Sequence, residues 1–306
     1  MSITELILIT VFFILESGVG YLLNVCILVA SAQNLRTGQR MNPPDVIHFT
    51  MGLVNITLQS LFCFQGLLFA FFISLLLTWN VYVPTIVGTL TLLYLIYWLT
   101  AWLCIYYCVT ISTFNHPLIV WSKRNISMYL PSLLLLSAVG CFVINIPIIF
   151  TANMEATLQS AANSTLDPIF ISWTFHLQPF YIHTASFLGC CIPFLLILVS
   201  IIVTNASLIR HLRKIKQKDS GLSQTKHPAH INAIRTMWLF LTISIIFCIN
   251  EMLFFLMTPN PEGPFTTVNW LIFMSFPTAE SLVIAFANPK LRRQIVAKIL
   301  SFYRKL

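Results

Sequence analysis

Four polar side chains lie deep inside long apolar stretches of the sequence, where water cannot solvate them. They are two acids and two amides, Glu16, Asn24, Asn55 and Glu280. A polar group at such a depth is costly unless it faces other protein groups, so these four are expected to form one hydrogen-bonded cluster between helices. Two interpretations of such a cluster stay open, a lock on helix packing and a part of a conformational switch.

Residue patterns typical of enzymes and metal sites are not found in the chain. There is no HExxH pair, no phosphate-cradling glycine loop and no GxSxG turn. The seven histidines are scattered, and the eight cysteines all fall within apolar runs, so neither set predicts a metal site or a disulfide framework. We therefore expect a protein that is not an enzyme, has no cofactor and no metal, and keeps its cysteines as buried thiols.

The composition of the chain excludes a water-soluble fold. Of its 306 residues, 58% are hydrophobic and only 8% are charged, whereas soluble domains carry roughly 25% charged residues. The formal charge of +8 does not indicate nucleic-acid binding, because the basic residues sit in short segments between apolar runs. One compact membrane domain over residues 1–306 is therefore expected.

Seven apolar stretches are long enough to cross a bilayer, which takes about 20 residues per helix. None alternates polar and apolar residues as a barrel strand does. The predicted fold class is therefore an all-α membrane protein, a seven-transmembrane helix bundle whose first span is retained because no cleavable signal pattern precedes it. The predicted helices cover residues 6–32, 46–77, 82–114, 127–150, 180–209, 236–257 and 265–288.

The carboxyl-terminal segment, residues 289–306, alternates apolar and basic side chains at helical spacing. This pattern predicts an amphipathic interfacial helix that lies on anionic membrane lipids. A frayed cytoplasmic tail is the alternative.

The distribution of basic residues predicts the orientation of the bundle. Every lysine and arginine lies in one alternating set of connections, whereas the other set, which includes residues 151–179, has none. The positive-inside rule therefore predicts a multi-pass plasma-membrane protein with its amino terminus extracellular and its carboxyl terminus cytoplasmic. Only one Asn-x-Ser/Thr sequon then lies in a roomy outside loop, so Asn163 is the predicted glycosylation site.

Two segments of the chain resemble signatures of a known receptor family. Residues 276–292 read FPTAESLVIAFANPKLR, which is similar to the pattern YPxxHSxxLILxNxKLK of the vertebrate bitter taste receptors, the type 2 taste receptors. Residues 98–117 read WLTAWLCIYYCVTISTFNHP and resemble that family's WLATxLSxFYxxKIANFSHP. Shorter matches at residues 16–24, 207–211 and 225–237 follow in the expected order, so the resemblance covers nearly the whole chain.

The chain departs from the family pattern at three interior or inner-face positions. Asn55 stands where the family usually has arginine, Thr110 where it has lysine, and Glu280 where it has histidine. These exchanges suggest a divergent member whose resting-state contacts differ. The vomeronasal type 1 pheromone receptors share the general plan and are the nearest alternative, and a small-solute transporter is the alternative from a different class.

The resemblance implies a G-protein-coupled receptor for small bitter agonists that activates a heterotrimeric G protein with a gustducin-like or Gi-like alpha subunit. The family's ligand cavity, carried over by helical position, implies a site lined by Gln65, Thr89, Leu93, His183, Phe187, Asn250, Glu251, Trp270 and Phe273. Among these, Glu251 is expected to select cationic ligands. The face that would meet the alpha subunit carries Tyr107, His116, Lys123, Arg210, Arg213, Lys214, His230 and Arg235.

Overall fold

The predicted bundle of seven helices is confirmed. The computed structural model describes residues 3–33, 41–76, 78–112, 117–151, 153–159, 170–176, 178–218, 227–257, 264–287 and 292. Within these residues, seven helices are long and apolar enough to cross a membrane. The predicted interfacial helix, apart from residue 292, and the predicted sugar site at Asn163 lie outside the described residues.

Six of the seven spanning helices are single segments. They are α1 Ile3–Ser31, α2 Pro43–Phe71, α3 Trp79–Ile111, α4 Pro117–Asn145, α6 His227–Met257 and α7 Pro264–Ala287. The remaining helix, α5, consists of Pro179–Ser186, a π-helical turn at Phe187–Cys191, and Ile192–Lys218. A short helix, Ile73–Leu76, follows α2.

Several helices begin earlier than the apolar pattern predicts. Helix α4 begins at Pro117 rather than at residue 127, and α6 begins at His227 rather than at residue 236. Backbone hydrogen bonds continue a helix through its polar end as readily as through its apolar part, whereas hydropathy detects only the apolar part. Proline is well suited to the first turn of α4, where its missing N–H would have no intrahelical partner.

The predicted span 127–150 is wrong in one respect, because it is not one continuous helix. Helix α4 ends at Asn145, and a separate short helix covers Ile148–Thr151. Pro147 lies between them, where it lacks an N–H for the helix ladder and disfavours helical geometry at the residue before it.

The connection between α4 and α5 forms a hairpin that the sequence pattern did not predict. Strand β1, Asn153–Gln159, pairs antiparallel with β2, Phe170–His176. Strand β2 is rich in aromatic and β-branched residues, which suit a pleated strand. We call the end of the bundle that carries these strands the hairpin end.

Helix α3 lies at the centre of the bundle and packs against α2, α4, α5 and α6. Helix α1 packs against α2 and α7, and α6 packs against α5 and α7. Of the most apolar part of α3, 56% is buried inside the bundle, whereas only 22% of the most apolar part of α4 is buried. The outward face of α4 exposes large apolar side chains such as Leu135 and Leu136, which suits contact with lipid tails.

The π-helical turn of α5 brings its backbone against α3. A Cβ atom added at Gly189 would come within 3.0 Å of three carbons in the ring of Tyr94, closer than real Cβ atoms approach their neighbours. Tyr94 is only 1% exposed, so its ring has no room to retreat. Glycine at this position therefore allows α3 and α5 to approach each other.

We expect Gly189→Ala to lower the free energy of unfolding by about 1–3 kcal/mol, because overpacking a filled interior forces strain on its neighbours. The measurement is the thermal unfolding temperature of the purified receptor. Gly140→Ala is the control, since a Cβ on that helical glycine meets nothing within 4 Å and alanine favours the helix. Equal stability of the two variants would contradict the prediction.

Candidate functional site

A buried hydrogen-bonded network joins α1, α2, α3 and α7. Ser281 Oγ donates to Asn24 Oδ1 at 2.7 Å, and Thr100 Oγ1 donates to Glu280 Oε1 at 2.5 Å. Asn55 Nδ2 lies between these pairs, 3.3 Å from Asn24 Oδ1 and 3.4 Å from Glu280 Oε2. All five side chains are buried. We call these five residues the four-helix network.

Glu16 lies in a second polar layer, nearer the amino-terminal end of α1. Gln59 Nε2 donates to Glu16 Oε2 at 3.0 Å and to Ser17 Oγ at 2.9 Å. Among the described hydrogen bonds, the Glu16 side chain has none to Asn24, Asn55 or Glu280. The structure therefore brings three of the four predicted cluster residues together and places Glu16 in a separate group, the Glu16 layer, which consists of Glu16, Ser17, Gln59 and Thr278.

The residue pattern did not single out four partners in these two groups, which are Ser17, Gln59, Thr100 and Ser281. Gln59 follows Asn55 by four residues, so both lie on one face of α2, and this spacing could have revealed it. Ser281 is next to Glu280 in the chain. Thr100 carried no such signal, because threonine hydroxyls in apolar helices commonly bond to their own backbone, as Thr57 does to the carbonyl of Leu53.

A second buried acid, Glu251, lies where α3, α5 and α6 meet. Its Oε1 accepts hydrogen bonds from the Tyr94 hydroxyl at 3.0 Å and from Ser186 Oγ at 3.1 Å. The side chain is 4% exposed. Glu251 lies near the end of α6 that is closest to the hairpin end, and the donors around it are neutral hydroxyls. This arrangement provides one carboxylate with two hydroxyls in an apolar setting.

The other predicted ligand residues lie at several places on the helices. Gln65 Nε2 donates to Thr89 Oγ1 at 3.1 Å, which links α2 to α3, and Asn250 Nδ2 donates to the backbone oxygen of Asn269 at 3.3 Å. Leu93 is part of the buried core. The remaining four are partly or largely exposed, and they are His183, Phe187, Trp270 and Phe273.

An aromatic contact lies between the two buried acids. The rings of Phe247 and Phe276 are 4.1 Å apart between centroids, and those of Tyr97 and Phe276 are 5.3 Å apart. On α3, Tyr97 lies three residues after Tyr94, which contacts Glu251, and three residues before Thr100, which contacts Glu280. A rise of 1.5 Å per residue separates these contacts by about 9 Å along the helix.

A groove of about 590 Å³ opens between α2, α3 and α4. Its walls include Leu61 on α2, Val83, Val87 and Leu92 on α3, and Phe142 on α4. None of the nine predicted ligand residues lines this groove. Among the described residues, no three histidine, cysteine, aspartate or glutamate side chains lie close enough together to hold a metal ion.

Seven of the eight predicted G-protein-facing residues lie on described helices, toward the end opposite the hairpin end. Tyr107 is partly buried near the end of α3. Three basic side chains of the set are exposed, and they are Lys123 on α4, Arg210 on α5 and Arg235 on α6. Three further residues lie on α5 or α6 with side chains that are not described, and these are Arg213, Lys214 and His230. His116 lies outside the described residues.

The expectation that every cysteine is a free thiol is wrong for one pair. Cys190 and Cys248 form a disulfide between α5 and α6, with their Cα atoms 6.6 Å apart. Both residues lie in apolar runs, and only the relative rotation of the two helices brings them together, so spacing in the sequence could not reveal the pair. The other six cysteines are free thiols, as expected.

Known proteins similar to this chain cover nearly its whole length. The family model described as "Taste receptor protein (TAS2R)" matches residues 1–304. Taste receptor type 2 member 143 of Rattus norvegicus is 30% identical over 212 residues, which cover 66% of this chain and 68% of the relative. Taste receptor type 2 member 40 of Gallus gallus is 25% identical over 290 residues, 94% of this chain and 93% of that receptor.

Proposed function

Because the chain belongs to the type 2 taste receptor family, whose members are G-protein-coupled receptors, we propose that it detects bitter small molecules at the hairpin end of the bundle. We propose further that it activates a heterotrimeric G protein with a gustducin-like or Gi-like alpha subunit at the opposite end. The observation that supports the ligand site best is Glu251. It is a buried carboxylate close to the hairpin end, bound by hydroxyls from two other helices.

The proposed agonist site extends from Glu251 across the hairpin half of the bundle. Asn250 and the Gln65–Thr89 pair supply polar groups. Apolar and aromatic walls with a few placed polar groups are typical of small-molecule sites. The proposed walls and rim comprise Leu93, His183, Phe187, Trp270 and Phe273.

An agonist activates a receptor only through a difference in its affinity for the resting and active arrangements. Raising the active population from about 1% to 99% takes a preference of about 5.5 kcal/mol. In the proposed mechanism a ligand at Glu251 competes with Tyr94 and Ser186, which changes the contacts of α3 with α5 and α6. Tyr97 lies about one helical turn from Tyr94 on α3, and its ring contacts Phe276 of α7. In the proposed mechanism, this ring contact connects the change to the four-helix network.

The proposed G-protein surface combines basic side chains from several helices. Lys123, Arg210 and Arg235 are exposed on α4, α5 and α6, and Tyr107 lies near the end of α3. We include Arg213, Lys214, His116 and His230 in this surface by their positions in the chain. Basic charge there also suits anionic lipid headgroups, which are the second proposed partner of this face.

We expect cells that express the chain with a chimeric G protein to release calcium when a panel of bitter compounds is applied. The matched control is the same cell line without the receptor, because bitter compounds also act on cells nonspecifically. Uptake of the same labelled compounds is measured in parallel. Compound uptake without calcium release would favour a transporter and contradict the proposal.

We expect the amino terminus and the hairpin end to face the outside, with Asn163 glycosylated, because the opposite connections carry the lysines and arginines. The measurement is antibody access to an epitope tag at each terminus before and after cells are permeabilised. A tag inserted in residues 219–226, between α5 and α6, is the internal control and should behave like the carboxyl-terminal tag. Access to both terminal tags in intact cells would refute the orientation.

We expect Glu251→Gln to weaken cationic agonists about 10-fold to 100-fold, which is the effect of losing a hydrogen bond or ion pair to a charged group. Neutral agonists should keep their potency, since glutamine preserves the shape of the site. The measurement is the concentration that gives half-maximal calcium release. Glu155→Gln, which removes the same charge from β1, is the control for general attraction of cations to the hairpin end. An equal loss for cationic and neutral agonists would refute a charge-selective role.

A further inference from the structure

Three buried oxygen atoms of the Glu16 layer and the four-helix network have no hydrogen-bond donor among the described residues. They are Glu16 Oε1, Gln59 Oε1 and Asn55 Oδ1. All three are acceptors, and two of them belong to the Glu16 layer. What this layer requires is therefore positive charge or a hydrogen-bond donor.

Gln59 cannot supply the hydrogen-bond donor that the Glu16 layer lacks. Gln59 is fully buried, and its Nε2 group already donates to both Glu16 Oε2 and Ser17 Oγ. Its carbonyl oxygen is left without a partner. Thr278 Oγ1 lies beside α1 as well, 3.5 Å from the backbone oxygen of Glu16.

Gly20 allows the Thr278 hydroxyl of α7 to lie directly against the backbone of α1. A Cβ atom added there would come within 3.0 Å of Thr278 Oγ1, and it would lie 3.4 Å from Gln59 Oε1. The absent side chain thus brings the Thr278 hydroxyl to α1 near the amide carbonyl of Gln59, one helical turn along α1 from Glu16.

In the part of the chain that the structure describes, the helices around Glu16 offer no lysine or arginine to balance its charge. The helices that form this layer, α1, α2 and α7, contain no lysine or arginine. His48 lies on α2, but it precedes Gln59 by eleven residues, or about 16 Å along the helix. A charge inside the membrane is costly unless a partner compensates it, and such charges commonly mark ion sites.

We propose that Glu16, Gln59 and Thr278 bind a small inorganic monovalent cation, such as Na⁺, between α1, α2 and α7. Carboxylate, carbonyl and hydroxyl oxygens are the ligands that hard cations prefer. One carboxylate balances one positive charge, whereas a divalent ion would leave an uncompensated charge in the membrane interior. The site is separate from the proposed agonist site and does not depend on it.

The first test is the thermal unfolding temperature of the purified full-length receptor in chloride salts of equal ionic strength. We expect Na⁺ to raise this temperature by about 2–4 °C relative to N-methyl-D-glucamine, with saturation as its concentration rises. The same unfolding temperature in both salts would overturn the proposal. It would show that water or a proton satisfies these oxygens.

Two matched glutamine variants then locate the site. Glu16→Gln should abolish the effect of Na⁺, whereas Glu280→Gln, which neutralises the acid of the four-helix network, should keep it. Loss of the effect in Glu280→Gln alone would overturn the assignment to the Glu16 layer. Thr278→Val removes one oxygen ligand with little change of shape, so it should raise the half-saturating Na⁺ concentration several-fold. If Glu16→Gln does not fold, an unchanged Na⁺ response in Thr278→Val would overturn the proposal.

Discussion

The structure depends on one constraint, which is that polar groups inside a bilayer must find their partners within the protein. Helices satisfy the backbone, but an acid or an amide on a helix still needs a neighbour. The carboxylate of Glu280 meets the hydroxyl of Thr100 on α3 and the amide of Asn55 on α2. These contacts favour one rotation of each helix about its axis and one depth of each helix in the bilayer. A change in the rotation or in the depth would leave a polar group unpaired in a low dielectric.

Helix α3 connects the two buried acids of the bundle. Tyr94 reaches Glu251 on α6, and Thr100 reaches Glu280 on α7. Between them, Tyr97 contacts Phe276, which in turn contacts Phe247 of α6. Packed interiors move between discrete arrangements rather than deforming smoothly, and these ring contacts are the part of the proposed mechanism that would carry a displacement of α3 from one acid to the other. In this chain the contacts therefore form a continuous packed path between Glu251, in the proposed agonist site, and Glu280 in the four-helix network.

The sequence predicts the seven spans well because each is determined by one property, the length of an apolar run. It predicts their ends less well, since α4 continues through Lys123 and Arg124, where polarity rises but the helix does not end. The break at Pro147 and the hairpin β1–β2 depend on local backbone chemistry that an average over some 20 residues conceals.

In the candidate site, too, some residues could be predicted from the sequence and others could not. Asn24, Asn55 and Glu280 stand out because acids and amides are rare at such depth. Their hydroxyl partner Thr100 does not, because threonine is common in apolar helices. The disulfide between Cys190 and Cys248 is concealed for a related reason, since it depends on which faces of α5 and α6 meet. The sequence therefore reveals the acids and amides at depth, whereas it conceals the hydroxyl and thiol partners whose residue types are ordinary in apolar helices.

The structure also gives physical meaning to two of the departures from the family pattern. Asn55 and Glu280 are direct neighbours, with Asn55 Nδ2 3.4 Å from Glu280 Oε2, so the two departures change one site. Where the resemblance implies arginine and histidine, this chain has an amide and an acid, which changes a donor-rich interior into an acceptor-rich one. The buried, unpartnered Oδ1 of Asn55 fits that change. The Glu16 layer, one helical turn away on α2, therefore lies beside a network that has no basic side chain to offer it.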